Sequence, residues 1–371
     1  MQTMEPPFTK QLRSLPASIP FVGPETIERE ENIRFQARLG ANESAFGISP
    51  NAEQAIKDGA TATYYGDPTN FNLRTELAGV HGVSINQILV GGGIDGLFSL
   101  IAQAFIEPGT PVTTSRGSYP TFNYFTTLCG AALGLVPYRD FCPDLNALAK
   151  EAQRSKSRFV YLANPDNPTG IFQIRNRLEN FISKLPEDCL LILDEAYIDF
   201  SPPPEILPVG KEGPRVIRMR TFSKAHGMAG MRIGYLIADQ EVVAGLNKIR
   251  NQFQVSRLAQ IAALASLKDS AFIDSVVAAV AAGREDYHAI GEELGIKTLP
   301  SASNFVAFDL GSPKRVSAVL EALKRKGIFV RTGPPPNNRL LRVTIGAPRE
   351  RTLFAAVFKE ILASEHLGAS K

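Results

Sequence analysis

The chain is short of several things, and each shortage closes off a class of protein. Among its 371 residues are three cysteines, Cys129, Cys142 and Cys189, an odd number without paired spacing. Each sits in or beside an apolar stretch, so a disulfide-stapled scaffold is excluded and a reducing compartment is the simpler reading. No charge dominates: Lys plus Arg number 40 against 37 for Asp plus Glu, a net +3. That is too small for a dedicated nucleic-acid or membrane-surface binder. Long apolar runs are missing as well; Leu258 to Leu267 and Phe272 to Ala282 fall short of the roughly 20 residues a spanning helix needs. The opening segment has prolines at 6, 7 and 16 and no continuous apolar core of signal type, so a cytoplasmic location is expected. His81, His288 and His366 show no ligand spacing, and no structural metal is expected.

What is present is ordinary globular usage, 44% apolar and 21% charged, at a length that suggests two or three domains. From about residue 87 to 240, β-rich runs alternate with helix-like segments: QILV (87–90), PVTTS (111–115), RFVYLA (158–163), LLILDEAY (190–197), RVIRMR (215–220) and RIGYLIA (232–238). Continuous apolar character in LLIL and YLIA suggests strands buried on both faces, as in parallel α/β sheets. After residue 239 the pattern turns helical to about 294. NFVAFDL (304–310), GIFVR (327–331) and RLLRVTI (339–345) then read as strands, with helices over 313–326 and 348–363. The expected fold class is α/β: a large domain, 46–255, with a mostly parallel sheet covered by helices, and a smaller α+β domain, 256–371. Residues 1–45 are expected to form an N-terminal arm and part of the small domain.

Two constellations carry chemistry. Gly91-Gly92-Gly93-Ile94-Asp95-Gly96 satisfies G-x-G-x-x-G between a strand and a helix. With Ser115 and Arg116 ending the next strand, it admits an NADP-dependent oxidoreductase. It equally admits a helix N-terminus that binds some other cofactor's phosphate, or a plain tight turn. The second constellation follows three later strands: Asn164 to Gly170, Asp194 to Tyr197, and Thr221-Phe-Ser223-Lys224 with Arg232. In a doubly wound sheet these loops converge at the strands' carboxyl ends. Asp194, closing an apolar strand, needs a cationic partner, and a protonated pyridine nitrogen would suit. Lys224, partly desolvated beside cations, could form a Schiff base with an aldehyde, while Thr221, Ser223 and Arg232 could hold a phosphate.

ANPDNPTG (163–170), DEAYIDF (194–200) and RTFSKAHGMAGMRIGY (220–235) together resemble the signature segments of the pyridoxal-phosphate aminotransferases of fold type I, most of all the histidinol-phosphate aminotransferase group. The likeness extends from LGANE (39–43) to LRVTIG (341–346). It implies that Lys224 is the Schiff-base lysine, that Asp194 pairs with the pyridinium, and that Asn167 and Tyr197 bond the 3′-oxygen. Thr221, Ser223, Arg232 and the amides of Ile94 and Asp95 would grip the phosphate, and Phe122 would stack on the ring. Tyr65 would reach the phosphate of the neighbouring subunit of a homodimer. Arg342 would bind the substrate carboxylate, with Asn42 near the substrate. Apart from the resemblance, Arg331 reads as a candidate for a substrate side-chain group or for a plain salt bridge.

The implied reaction moves an amino group between an L-amino acid or related amine, with histidinol phosphate and aromatic amino acids among the candidates, and a keto acid such as 2-oxoglutarate. A decarboxylase of a phosphorylated amino acid is the nearest alternative. A non-catalytic binding protein on the same fold is a third. Phe21 falls where the group commonly has a tyrosine touching the substrate phosphate, and a phenyl ring cannot donate that bond. Phe21 is therefore expected to disfavour histidinol phosphate. Gly92, Ile94 and Gly96 also depart from the usual polar choices. His226 is read as a cofactor-proximal polar group or as packing at the turn.

Overall fold

The computed structural model describes residues 6–15, 21–59, 63–210, 213 and 215–368. Residues 1–5 and 16–20 of the expected arm, and 369–371 of the expected C-terminal unit, lie outside them, as does the side chain of His366.

Seven strands form the central sheet: β1 (Ile88–Gly91), β2 (Pro111–Ser115), β3 (Ala132–Val136), β4 (Phe159–Ala163), β5 (Leu190–Asp194), β6 (Val216–Thr221) and β7 (Gly234–Ile237). Their order is β3-β2-β4-β5-β6-β7-β1, parallel except for β7, which runs antiparallel to both neighbours. Every residue of β4 is buried, because helices cover both faces and the alternation of the pleat divides its side chains between two cores. Phe159 and Tyr161 join Phe98 and Ile101 of helix Gly93–Phe105 on one face. Val160 and Leu162 join Leu148 of helix Leu145–Ser155 and Phe181 of helix Arg175–Ser183 on the other.

β3 is an edge strand whose residues are mostly half-buried or exposed, so the sequence carries no buried-strand signature there. The strand expected over RIGYLIA starts at Gly234 rather than at Arg232, which has a left-handed backbone, φ +51°, and ends a short turn instead.

A second sheet comprises β8 (Phe305–Asp309), β9 (Arg331–Thr332) and β10 (Leu340–Thr344), antiparallel in the order β8-β10-β9. The long helix Ser270–Glu293 and the helix Pro348–Gly368 pack on it through Tyr287, Phe354 and Phe358. Ala37–Arg38 pairs in parallel with Ile328–Phe329, which brings the early part of the chain to this unit. One expected boundary moves. Helix Arg257–Leu267 packs on helices Pro50–Asp58 and Phe71–His81, and its Ala259 and Ala262 share a core with Val90 and Tyr235 of the large sheet. The small unit's own elements therefore start at Ser270 rather than 256. Among the described residues no helix is long and apolar enough to cross a membrane.

Candidate active site

Strand register assembles the site. Gly91, Gly234 and Thr221 lie side by side across β1, β7 and β6, and Ala163, Asp194 and Met219 across β4, β5 and β6. The loops carrying Ile94 and Asp95, Arg232, Ser223 and Lys224, Asn167, and Tyr197 thus leave the same edge of the sheet, as the sequence constellation requires.

At the phosphate end, Gly93 opens its helix at φ +78°. A Cβ there would lie 2.7 Å from an Arg232 Nη, so the guanidinium sits directly over the helix N-terminus. Thr221 Oγ1 accepts from the Ser223 amide at 3.1 Å and donates to Ser223 Oγ at 3.0 Å, which fixes both hydroxyls. The unusual glycines have a local cause. A Cβ on Gly92 or Gly96 would come within 2.9 Å of the Gln254 side chain, a residue no sequence motif had marked.

At the centre, Asp194 is buried, accepting from Tyr161 Oη at 2.8 Å and from the Ala196 amide at 3.0 Å. Burial pushes its carboxyl up to about 7, the signature of a carboxylate awaiting a cation. The following Glu195 is clamped by Arg218 (2.7 Å) and Arg220 (2.9 Å), anchoring the loop to β6. Tyr197 Oη accepts from Asn42 Nδ2 (2.9 Å) and from Asn167 Nδ2 (3.3 Å). With both lone pairs used, its own proton is left to donate. Lys224 Nζ donates to the Asn42 carbonyl at 3.0 Å. Burial, reinforced by the nearby Arg342, pulls its amine down to about 8, so a neutral nucleophile is available near neutrality.

At the substrate end, Arg342 donates to Asn167 Oδ1 (2.7 Å) and to the Gly40 carbonyl (2.8 Å), while its buried Nε has no partner. Arg331 stands directly opposite it across β9 and β10. Burial and the Arg342 charge lower Arg331 to about 10, and the Phe21 ring covers its guanidinium at 4.2 Å.

One expected residue stands elsewhere. Phe122 is in the core, stacked on Tyr161 at 4.5 Å and edge-on to Phe98, so its ring is occupied by protein. The aromatic reaching the site from that segment is Tyr119, whose hydroxyl donates to Asp95 at 3.1 Å. His226 bonds Ser266 at 2.7 Å and packs on Phe222, the packing alternative rather than the cofactor one. Tyr65 is exposed and stacked on Phe253.

The family model for aminotransferases of class I and II matches residues 36–357. The chain belongs to that family. It is 34% identical over 359 residues to histidinol-phosphate aminotransferase 2 of Carboxydothermus hydrogenoformans, covering 95% of this chain and 98% of that one. The histidinol-phosphate aminotransferase of Moorella thermoacetica is 33% identical, with 96% and 94% covered. Among solved structures, histidinol-phosphate aminotransferase from Sinorhizobium meliloti in complex with pyridoxal-5′-phosphate superposes with a TM-score of 0.93 at 40% identity, covering 98% and 100%. Thermus thermophilus aspartate aminotransferase, at 21% identity and a TM-score of 0.77, shares the fold.

The protein is thus a pyridoxal-phosphate-dependent aminotransferase of fold type I. Neither the oxidoreductase nor the decarboxylase reading finds support, and the G-x-G-x-x-G turn faces Arg232 and the Lys224 loop. Its residues fit the cofactor: an acid raised by burial for a pyridinium, a hydroxyl with a proton to give, and a cationic glycine cradle for a phosphate. When bound, the cofactor supplies an electron sink conjugated to the substrate carbon that loses its proton.

Proposed function

We propose that this aminotransferase takes its amino group from a donor bearing a doubly charged anionic group, histidinol phosphate foremost, and passes it to a keto acid such as 2-oxoglutarate. The observation supporting this is the arginine pair. Arg331 and Arg342 oppose each other across two strands, and like charges so placed repel. A fold keeps such a pair where a phosphate monoester, at about −1.5 to −2 charge, or a dicarboxylate lies between them. Arg342 binds the group next to the reacting carbon, and Lys224 moves the proton from that carbon. Phe21 contributes by holding Arg331 rather than by a hydroxyl. Tyr64 and Tyr65 are exposed beside Phe253, and we read this apolar surface as the face of a homodimer in which Tyr65 reaches the neighbour's phosphate site. A reducing, cytoplasmic location accords with the three free cysteines.

The bare phenyl ring of Phe21 favours a second donor, an aromatic amino acid. A titration decides. The visible band of the loaded protein is followed while amino donors are added singly, with histidinol phosphate, glutamate and phenylalanine among them. Bleaching by histidinol phosphate at the lowest concentration is the expected result. Preferential bleaching by phenylalanine would establish the second donor and overturn the first.

A further inference from the structure

Lys224 and Tyr197 belong to loops of the seven-stranded sheet, whereas Thr344 ends β10 and Asn304 precedes β8 of the small sheet. A single residue touches all four. The Asn42 carbonyl accepts from Lys224 Nζ and from Asn304 Nδ2, each at 3.0 Å. Its side-chain amide donates to Tyr197 Oη at 2.9 Å, while its Oδ1 accepts from Thr344 Oγ1 at 3.0 Å. Its backbone N–H donates back to the same threonine oxygen at 3.0 Å. Thr344 thus grips the main chain and the side chain of Asn42 at once. Asn42 is buried and sits at φ +54°, a left-handed backbone that asparagine adopts more readily than most residues and that the surrounding contacts hold.

We infer that Asn42 is a positioning residue for the catalytic amine: pinned by Thr344 and Asn304, its carbonyl holds the Lys224 nitrogen where it must act, and its side chain aims the Tyr197 hydroxyl. The strand that presents the substrate arginine thereby also sets the lysine, since Thr344 lies two residues beyond Arg342 on the same face. Binding and proton transfer are coupled through one hydrogen-bonded residue. The inference rests on the aminotransferase chemistry and not on which donor is used.

A carbonyl acceptor stabilises the protonated form of the amine it faces, so loosening Asn42 must lower the pH at which Lys224 becomes neutral. Thr344→Val keeps the shape and removes both bonds to Asn42. In the cofactor-free protein, the rate at which the visible band forms on adding pyridoxal phosphate is measured against pH. The valine variant is expected to show a midpoint lower by about half a unit, kcat down about tenfold, and a donor KM within about twofold, because Arg342 is untouched. Thr344→Ser, which restores the hydroxyl, is expected to recover all three. Should the valine variant not fold, Asn42→Gly keeps the left-handed backbone, removes the side chain, and is expected to lower the same midpoint. An unchanged or raised midpoint overturns the inference, and so does a serine variant as impaired as the valine one, which would make Thr344 a packing residue. Band formation needs no amino donor, so an error in the assigned donor leaves this test readable.

Discussion

Asp194 is the residue where folding and cofactor chemistry pull hardest against each other. Its carboxyl titrates near 7 in the folded chain against 3.8 in an ordinary one, because burial outweighs the bonds from Tyr161 and Ala196. The folded protein therefore holds a proton that the unfolded chain has released. The associated stability is fully present below about pH 4 and is lost as the pH rises through about 7. A cation bonded to the carboxylate removes that loss, since the ionised form is then the favoured one in the fold. The loaded protein should consequently gain on the cofactor-free protein as pH rises. Melting temperatures of the two forms at about pH 5 and about pH 7.5 test this, and the gap between them is expected to widen. In Asp194→Asn, which cannot ionise, that part of the widening is expected to disappear. A gap of constant size would mean that Asp194 does not meet the cofactor's cation.

At the scale of elements, the decisive join is between β1 and its helix. Gly93 has a backbone that L side chains rarely adopt, and a methyl group there would press on the Arg232 guanidinium. Gly93→Ala is expected to leave the sheet intact, to destabilise the turn by ~1–2 kcal/mol, and to weaken pyridoxal-phosphate binding by about tenfold. Equilibrium dialysis reads the affinity directly, and wild-type binding would show that the helix N-terminus is not the phosphate seat. This join was legible in the sequence because backbone geometry demands glycine at such a point. Lys224, Asp194 and Asn167 were legible for a related reason: strand ends in a parallel sheet put chemistry at one edge, whereas Arg342, mid-strand in the antiparallel small sheet, was marked only by the family resemblance. What stayed hidden depends on packing. Nothing in YPTF tells which ring turns inward, so Phe122 was expected at the site where the structure brings Tyr119. The Ala-rich helix Arg257–Leu267 carries no mark of which sheet its small faces will meet. Gln254 and Thr344, single polar residues acting through contacts distant in sequence, left no pattern at all.

At the scale of the whole molecule, the exposure of Tyr65 bears on whether each pocket is completed by its own chain or by a second copy. Tyr65 is 76% exposed and stacks on Phe253, itself half exposed. In an isologous dimer the two sites are equivalent, and under the proposal above each tyrosine would serve the opposite lysine. The arrangement can be tested by complementation. Lys224→Ala removes the amine expected to bond the cofactor aldehyde, and Tyr65→Ala removes the donated hydroxyl. In a mixed dimer of the two variants, crossed sites place both defects in one pocket and leave the other complete. Equal amounts of the variants, unfolded and refolded together, give half mixed dimers with one whole site of two. About a quarter of the wild-type activity per chain is then expected, well above the mean of the separately refolded variants. If Tyr65 instead serves its own chain's pocket, every mixed dimer has one damaged site of each kind. The activity then equals the mean of the two variants, and the shared-site reading fails.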